Sequence, residues 1–262
     1  MDPALQAAAS GMMAQQTRVE VIANNLANVN TTGFKRSRAH FEDLLYQTIE
    51  GSAQVEGADA ESTQEVQVGR GTRLSAVQRV ENQGPLEPTG RPLDMAIEGE
   101  GFFQVQLPNG TLAYTRDGSF SISDQGALVT NGGYGMAPGI SIPPDATGLV
   151  VSRTGVVSAT VAGSLEGVEV GRIELARFAN SAGMRALGEN LYQETPASGA
   201  PIQGFPQEDG FGRLLQGTLE GSNVEIVQEM VEMITALRAY EINSKAVTSA
   251  EEMADIANAL IR

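Results

Sequence analysis

The residues of this sequence that come nearest to a catalytic arrangement are two glutamates and one histidine. Glu98 and Glu100 are separated by one glycine, and paired carboxylates could serve a glycosidase if one of them held its proton. His40 lies near Ser37 and Asp43, the residue types of a serine hydrolase, but the chain has no G-x-S-x-G motif. We expect the glutamates to lie in a solvated turn between strands. The sequence predicts no catalytic residue, no metal site and no cofactor, and therefore no enzyme.

Composition excludes several other classes of function. The chain has no cysteine, so disulfides and thiolate metal sites are excluded. It carries 32 acidic and 17 basic residues, a net charge of −15, which disfavours nucleic acid and anionic membranes as partners. No apolar run approaches the ~18 residues of a membrane-spanning helix, and no basic n-region precedes the first helix. We therefore expect no membrane insertion and, if the protein is exported, no cleaved signal peptide.

The elements that would position any functional residue differ along the chain. Near the N-terminus Leu5, Met12, Val19 and Leu26 recur at a spacing of seven. A second row of apolar residues lies beside them, comprising Ala8, Ile22 and Val29. This repeat is typical of a coiled-coil helix, with an ordinary amphipathic helix as the alternative. The basic run of Lys35, Arg36 and Arg38 would follow the helix end, where we expect it to be exposed to solvent.

The C-terminal segment predicts a second, longer helix. Ser222 or Asn223 would be its N-cap, with Glu225 in the first turn. About 40 residues without proline or glycine follow, enough for roughly 60 Å of helix. Apolar residues recur every seven positions from Ile226, and a second apolar row runs beside them through Val227, Val231 and Ile234. A helix with apolar rows on more than one side cannot bury them on a single short partner.

The middle of the chain is predicted to be β-structure. Apolar residues alternate at Leu93, Met95 and Ile97, and again in later segments. The alternation changes phase across Gly171, which indicates a β-bulge. Three pairs are expected to form hairpin turns: Asn109-Gly110, Asp117-Gly118 and Asn131-Gly132. The predicted fold class is therefore α+β, with long terminal coiled-coil helices flanking an inserted, mostly antiparallel β domain.

This interpretation divides the chain into four segments. Residues 1–45 would be an N-terminal assembly helix and basic turn, 46–68 an acidic linker or extended insertion, 69–221 a β-rich outer domain, and 222–262 a C-terminal assembly helix. Residues 50–65 hold five acids and no base, and this composition is typical of an exposed linker.

Four asparagines at the end of the first helix need an explanation, because asparagine is a poor residue for a helix interior. They are Asn24, Asn25, Asn28 and Asn30. Inside a dry helical bundle a misplaced neighbour would leave such an amide unsatisfied, at a cost of about 1 to 3 kcal/mol. We interpret the cluster as a device that selects the register of assembly, with a fraying helix end as the alternative.

Together these features indicate assembly. Unlike apolar surfaces at the two ends of a chain make heterologous contacts, which build rings or helical filaments. Two alternatives are an intramolecular helix pair and a homodimeric coiled coil. The predicted assembly interface consists of Leu5, Met12, Val19, Ile22, Asn24, Asn25, Leu26, Asn28, Val29, Val224, Ile226, Val227, Met230, Val231, Met233, Ile234, Leu237, Tyr240 and Val247.

Three collinear motifs carry a family resemblance. "ANNLAN" and "NTTGF", between residues 23 and 34, resemble the N-terminal signature of the bacterial flagellar rod and hook family. "GRPLDMAIEGEGFFQV" with "YTRDGSF" resembles the middle domain of that family, and "LEGSNVEIVQEMVEMITALRAYEINSKAV" resembles its C-terminal helix. Within the family, "YQTI" at residues 46–49 followed by an insertion is most similar to members that form the distal rod. A hook protein would be considerably longer.

The resemblance implies a structural subunit that polymerises helically into a hollow drive shaft transmitting torque from motor to hook. It implies export by the flagellar apparatus, a periplasmic location, and the partners of a rod: copies of itself, proximal rod proteins below, hook protein above, the surrounding L and P ring proteins, the export apparatus and the rod cap. The alternatives are a proximal rod or hook-type subunit and, in another class, a monomeric wall-glycan-binding or hydrolytic module.

Overall fold

A computed structural model describes residues 3–50, 66–161 and 167–260. Most of the predicted acidic linker, residues 51–65, therefore lies outside the described residues. The chain forms two compact units. Unit 1 takes its described residues from Met1–Leu26, Ser37–Gln78 and Ile226–Arg262, and unit 2 from Ala27–Arg36 and Arg79–Glu225.

Unit 1 contains two long helices and two small strand pairs. The elements of unit 1 are α1 (Pro3–Ala27), β1 (Ser37–Asp43), β2 (Tyr46–Glu50), β3 (Val66–Gly69), β4 (Thr72–Arg79) and α2 (Ile226–Leu260). Strand β1 pairs with β4, and β2 pairs antiparallel with β3, so that the two strands flanking the acidic segment meet each other. At 1.5 Å per residue, the 35 residues of α2 extend about 52 Å.

The predicted start of the second helix was wrong by two to three residues. The helix α2 begins at Ile226, and the acid in its first turn is Glu229 rather than Glu225. Asn223 does not cap the helix, because its side chain accepts the amide of Arg36 at 2.7 Å and donates to the carbonyls of Val80 and Asn82. These partners are far away in sequence, so local capping rules could not anticipate them.

Unit 2 consists of sixteen strands and one short 3-10 helix, Ser181–Gly183, among its described residues. Every strand pair with a defined register in unit 2 is antiparallel. The strands are β5 (Leu86–Pro88), β6 (Met95–Glu98), β7 (Phe102–Gln106), β8 (Leu112–Thr115), β9 (Phe120–Ile122), β10 (Leu128–Thr130), β11 (Gly135–Met136), β12 (Ala146–Val151), β13 (Val156–Val161), β14 (Val168–Arg172), β15 (Leu175–Arg177), β16 (Arg185–Gly188), β17 (Leu191–Gln193), β18 (Ile202–Gly204), β19 (Arg213–Gln216) and β20 (Thr218–Glu220).

The largest sheet of unit 2 is built around β7, which pairs with β8, β11 and β15. Smaller sheets are formed by β12, β13 and β14, by β19 with β6, and by β20 with β5. The main core includes Phe103, Phe120, Leu128, Val157 and Ile173, all completely or almost completely buried. A second cluster contains Phe102, whose ring lies edge to face with the rings of Phe178 and Tyr192. Unit 2 thus has the apolar interior of a self-sufficient domain.

The predicted turns have different outcomes. Asn109-Gly110 connects β7 to β8, and Asn131-Gly132 connects β10 to β11, so both hairpins are confirmed. The bulge is also confirmed, because Val157 pairs with Gly171 while Ser158 pairs with Glu169, leaving Val170 as the additional residue. Asp117-Gly118 was wrong as a hairpin turn, since the strands on either side of it, β8 and β9, are not neighbours in the sheet.

The overall class is confirmed as α+β, with N- and C-terminal helices flanking a mostly antiparallel β domain. Glu98 and Glu100 also lie as predicted around the turn between β6 and β7. Arg213 donates two hydrogen bonds to Glu98, at 2.6 and 2.9 Å, and these lower the pKa of that carboxyl. Glu98 thus lacks the raised pKa that a general acid requires.

Residue 118 must be glycine because a side chain at this position has no room, and not because of its backbone conformation. A Cβ at this position would lie 1.5 Å from the carbonyl oxygen of Met95. We expect Gly118→Ala to lower the free energy of unfolding of unit 2 by about 3 kcal/mol or more, since backbone must move. Gly135→Ala is the control, because its Cβ would meet open space. Equal denaturation midpoints for the two variants would contradict the expectation.

Candidate assembly interface

The two helices of unit 1 lie antiparallel to each other. The amide of Asn25 donates to Glu229 at 3.1 Å, and Arg18 forms an ion pair with Glu232 at 3.3 Å. A Cβ at Gly11 would lie 2.8 Å from the side chain of Asn243. Residue numbers therefore fall along α1 as they rise along α2. An intramolecular helix pair, one of the alternatives considered from sequence, is thus present in the monomer.

The surface between the two helices is small and polar rather than broadly apolar. Ala14, Ile22 and Ala236 are the only buried apolar side chains among the described residues of unit 1. Asn25 and Glu229 are equally buried beside them. A helix pair with so little apolar contact gains little stability from its own packing.

Asn25 performs a local structural function. Its side chain is only 1% exposed, donates to the carbonyl of Ser37 at 2.9 Å and accepts the amide of Ser37 at 2.8 Å. One amide thus pairs with both backbone groups of one residue, as a neighbouring strand would, and ties α1 to the start of β1. Asn28 accepts a bond from Thr31 in the following turn, while Asn24 and Asn30 are exposed. The proposed register function of the cluster therefore rests on its exposed members.

The first turns of α2 carry an uncovered apolar surface, which we call the helix patch. Its residues are each between 47% and 70% exposed: Ile226, Val227, Met230, Val231, Ile234 and Leu237. At 100° per residue they cover an arc of about 140°. The two charged residues of this stretch, Glu229 and Glu232, both contact α1 instead. The helix patch is therefore wide and uncharged.

The apolar row of α1 adds to the same surface. Leu5, Met12, Val19 and Leu26 are all partly exposed. At 100° per residue this row lies about 110° around the helix from the residues that contact α2. Around the axis of α2, Ile226, Met230 and Leu237 lie at a similar angle from the residues that contact α1. The angle has the same rotational sense as in α1 when each helix is viewed from its N-terminus. In an antiparallel pair, equal rotations place both surfaces on one side.

The remaining predicted interface residues are divided by burial. Ile22, Asn25 and Val224 are buried within the fold of the chain itself, so they shape the surface rather than contribute to it. Met233, Val247 and Val29 are partly exposed, and Tyr240 is exposed. The predicted interface residues of unit 1 that remain exposed or partly exposed thus lie on the two helices, while Val29 and Val224 belong to unit 2.

Sequence reasoning missed a buried charge cluster in unit 2. Lys35 was expected to be exposed, but it is 1% exposed and donates to Glu220 at 2.5 Å and to the carbonyl of Asn82 at 2.9 Å. Arg116 approaches the other oxygen of Glu220 at 3.4 Å. Burial lowers the pKa of Lys35 and of Arg116, although Glu220 acts in the opposite direction on both. The available signal was that Arg116 and Glu220 lie in two of the motifs that carry the family resemblance, and that Lys35 directly follows another.

No helix in the described part of the chain is long and apolar enough to cross a membrane. Among the same residues, no three histidine, cysteine or acidic side chains converge as metal ligands would.

A complete β domain combined with a helix pair that leaves its apolar surface uncovered is the construction of a structural protein. Comparison with known families gives the particular one. The family "Flagella basal body rod protein" matches residues 5–35, "Flagellar hook protein FlgE/F/G D1 domain" matches residues 96–159, and "Flagellar basal body rod FlgEFG protein C-terminal" matches residues 215–260.

Relatives match over nearly the whole chain. The flagellar basal-body rod protein FlgG of Borreliella burgdorferi is 50% identical over 261 residues, 99% of this chain and 98% of the relative. FlgG of Caulobacter vibrioides is 50% identical, covering 95% and 96%. The rod protein FlgF of the same bacterium is 35% identical, covering 97% and 95%. The chain belongs to the flagellar basal-body rod protein family, and its assignment as a structural subunit of the distal rod is confirmed.

The contacts of Asn25 generate a prediction. We expect Asn25→Ala to leave the backbone groups of Ser37 unsatisfied and to destabilise unit 1 by about 2 to 3 kcal/mol. Hydrogen exchange of the Ser37 amide should then accelerate by at least about tenfold. Asn24→Ala is the matched control, since Asn24 is the preceding residue of the same helix and is exposed. Equal acceleration in both variants would remove the local function assigned to Asn25.

Proposed function

We propose that this distal rod subunit polymerises into a helical, hollow drive shaft through the helices of unit 1. The observation that carries the proposal is the distribution of exposed apolar residues. Sixteen of the twenty-one large apolar residues that are exposed among the described residues belong to unit 1. All three apolar core clusters, in contrast, belong to unit 2. Unit 2 thus buries its apolar core within the monomer, whereas unit 1 leaves large apolar side chains exposed.

The energy available from covering the helix patch is substantial. Fully burying a valine, leucine, isoleucine or methionine gains about 1.5 to 3 kcal/mol, so covering the exposed half of six such residues gives on the order of 6 kcal/mol. This gain must offset the cost of association, so several contacts per subunit are needed. In the proposed rod each helix pair touches more than one neighbour, and coiled-coil packing forms between subunits.

The arrangement of unlike surfaces favours an open polymer. The helix patch consists of large side chains, whereas the first turns of α1 are mostly alanine, glycine and serine. Two such different surfaces make heterologous contacts, which repeat along a helical lattice instead of closing a dimer. In the proposed assembly, segments 1–45 and 222–262 form the inner layers, and the β-rich segment 69–221 faces outward.

The partners of the proposed shaft follow from its position. Copies of the chain contact each other, proximal rod proteins lie below, hook protein lies above, and the L and P rings surround the rod. The subunit reaches the periplasm through the flagellar export apparatus and is placed beneath a rod cap. The net charge of −15 supports this proposal, because like-charged outer surfaces limit adhesion to a surrounding bushing.

Introducing a charge into the helix patch tests the assembly surface. We expect Ile234→Asp to abolish rod assembly, because the carboxylate would be buried without a partner in the polymer. Leu26→Asp should act in the same way from α1. Swarming in soft agar and electron microscopy of isolated basal bodies measure assembly, and circular dichroism of the purified variants confirms that unit 2 remains folded.

The control for this experiment has a matched residue type and exposure. Ile122, in strand β9 of unit 2, is 47% exposed, and Ile234 is 50% exposed. We expect Ile122→Asp to assemble normally. Normal rods from Ile234→Asp, or equal loss of rods in both variants, would show that the helix patch is not the assembly surface.

Proteolysis compares the monomer with the assembled rod. Arg238 and Lys245 are exposed on α2, which has few buried contacts and should open readily. We expect trypsin to cut the purified monomer there and within residues 1–45, and to spare these sites in isolated hook-basal bodies. Mass spectrometry identifies the cuts. Equal protection in both samples would mean that the helix pair is already complete in the monomer, and the assembly proposal would fail.

A further inference from the structure

The buried charge cluster lies where the chain leaves unit 2. The chain passes between the units four times, after Leu26, Arg36, Gln78 and Glu225. On the unit 2 side, three of these passages are flanked by segments 33–36, 80–84 and 220–223. Hydrogen bonds join these segments: Gly33 donates to the carbonyl of Glu220 at 2.8 Å, and Val80 donates to that of Arg36 at 2.8 Å.

Two side chains connect all three segments. The carboxylate of Glu220 accepts from Lys35 and, at 3.0 Å, from the amide of Gly84. Asn223 binds Arg36 through its oxygen, and Val80 and Asn82 through its nitrogen. We call the group of Lys35, Arg116, Glu220 and Asn223 the junction clamp. Segments separated by more than 180 residues of sequence are thereby held side by side within unit 2.

We propose that the junction clamp is a positioning device for assembly. It fixes, inside each subunit and before a second copy binds, the places at which the chain departs toward the helices of unit 1. This inference rests on the proposed function, since fixed departure points matter when many copies must repeat one geometry. Glu220, Lys35, Arg116 and Asn223 act as positioning residues through the segments that they join.

The charges of the clamp give it a specific signature. Two cations, Lys35 and Arg116, share one carboxylate, and all three side chains are at least nine-tenths buried. Removing Lys35 leaves a neutral pair of Glu220 and Arg116. Removing the charge of Glu220 takes from two buried cations the one carboxylate that both of them contact, which is far more costly. If these side chains only filled space, removing the charge of Glu220 would not have the larger effect, because Glu220→Gln preserves the shape of the side chain.

Hydrogen exchange of the purified full-length monomer tests the clamp. We expect Lys35→Met to accelerate exchange at Gly33, Arg36 and Gly84 by at least about tenfold, while the strands of the main core remain protected. Glu220→Gln should accelerate the same amides at least about a hundredfold, up to unfolding of unit 2. Glu98→Gln is the control, because it removes a carboxylate whose side-chain partner is Arg213 and not a residue of the clamp. It should leave the three amides unchanged.

The opposite results are equally clear. Unchanged exchange in Lys35→Met, a larger effect in Lys35→Met than in Glu220→Gln, or loss of protection at the same amides in Glu98→Gln would overturn the clamp. Because these measurements use the monomer, their outcome is independent of the Ile234→Asp test of assembly. Cells carrying Lys35→Met should swarm more slowly and form fewer complete rods. Normal swarming despite a loosened clamp would overturn its function in assembly.

Discussion

A single buried carboxylate, that of Glu220, holds together parts of the chain that are far apart in sequence. Its two oxygens pair with two cations and accept a hydrogen bond from a backbone amide. The backbone carbonyl of Glu220 also accepts a hydrogen bond from the amide of Gly33. An ion pair this deeply buried contributes little net stability, because desolvation offsets the attraction. In the proposed junction clamp, its contribution is instead to fix the arrangement of the groups around it. For a subunit that is repeated many times, one fixed arrangement is more useful than additional stability.

The two units differ in what completes them. Unit 2 buries its aromatic and aliphatic side chains in its own sheets. The helices of unit 1 meet through small and polar side chains, and their large apolar residues remain uncovered. In the proposed assembly this difference separates folding from polymerisation, since the β domain buries its own core while the exposed apolar residues of the helices are covered by neighbours. A distal rod subunit requires both properties in one chain.

Features set by local sequence were predictable. The seven-residue apolar spacing gave the two helices, Asn109-Gly110 and Asn131-Gly132 gave hairpins, and the change of phase near Gly171 gave the bulge. The failures share one cause. Asn223 was assigned to a helix cap and Lys35 to solvent, yet both bind groups at least 47 residues away in sequence. A spacing pattern carries no information on such partners. The exposure of the helix patch was foreseen only as apolar rows that one short partner could not cover.

The discontinuous construction of the units also determines when the protein can fold during its synthesis. The helix α1 leaves the ribosome first, but its contacts Glu229, Glu232 and Asn243 are made last. Lys35 likewise waits for Glu220, 185 residues later. An N-terminal part usually folds while the rest of the chain is still being translated. The N-terminal helix and the turn after it cannot do so, because their partners are not yet synthesised. The helix pair of a nascent chain of this design cannot form until α2 has emerged, whereas all residues of unit 2 emerge before α2.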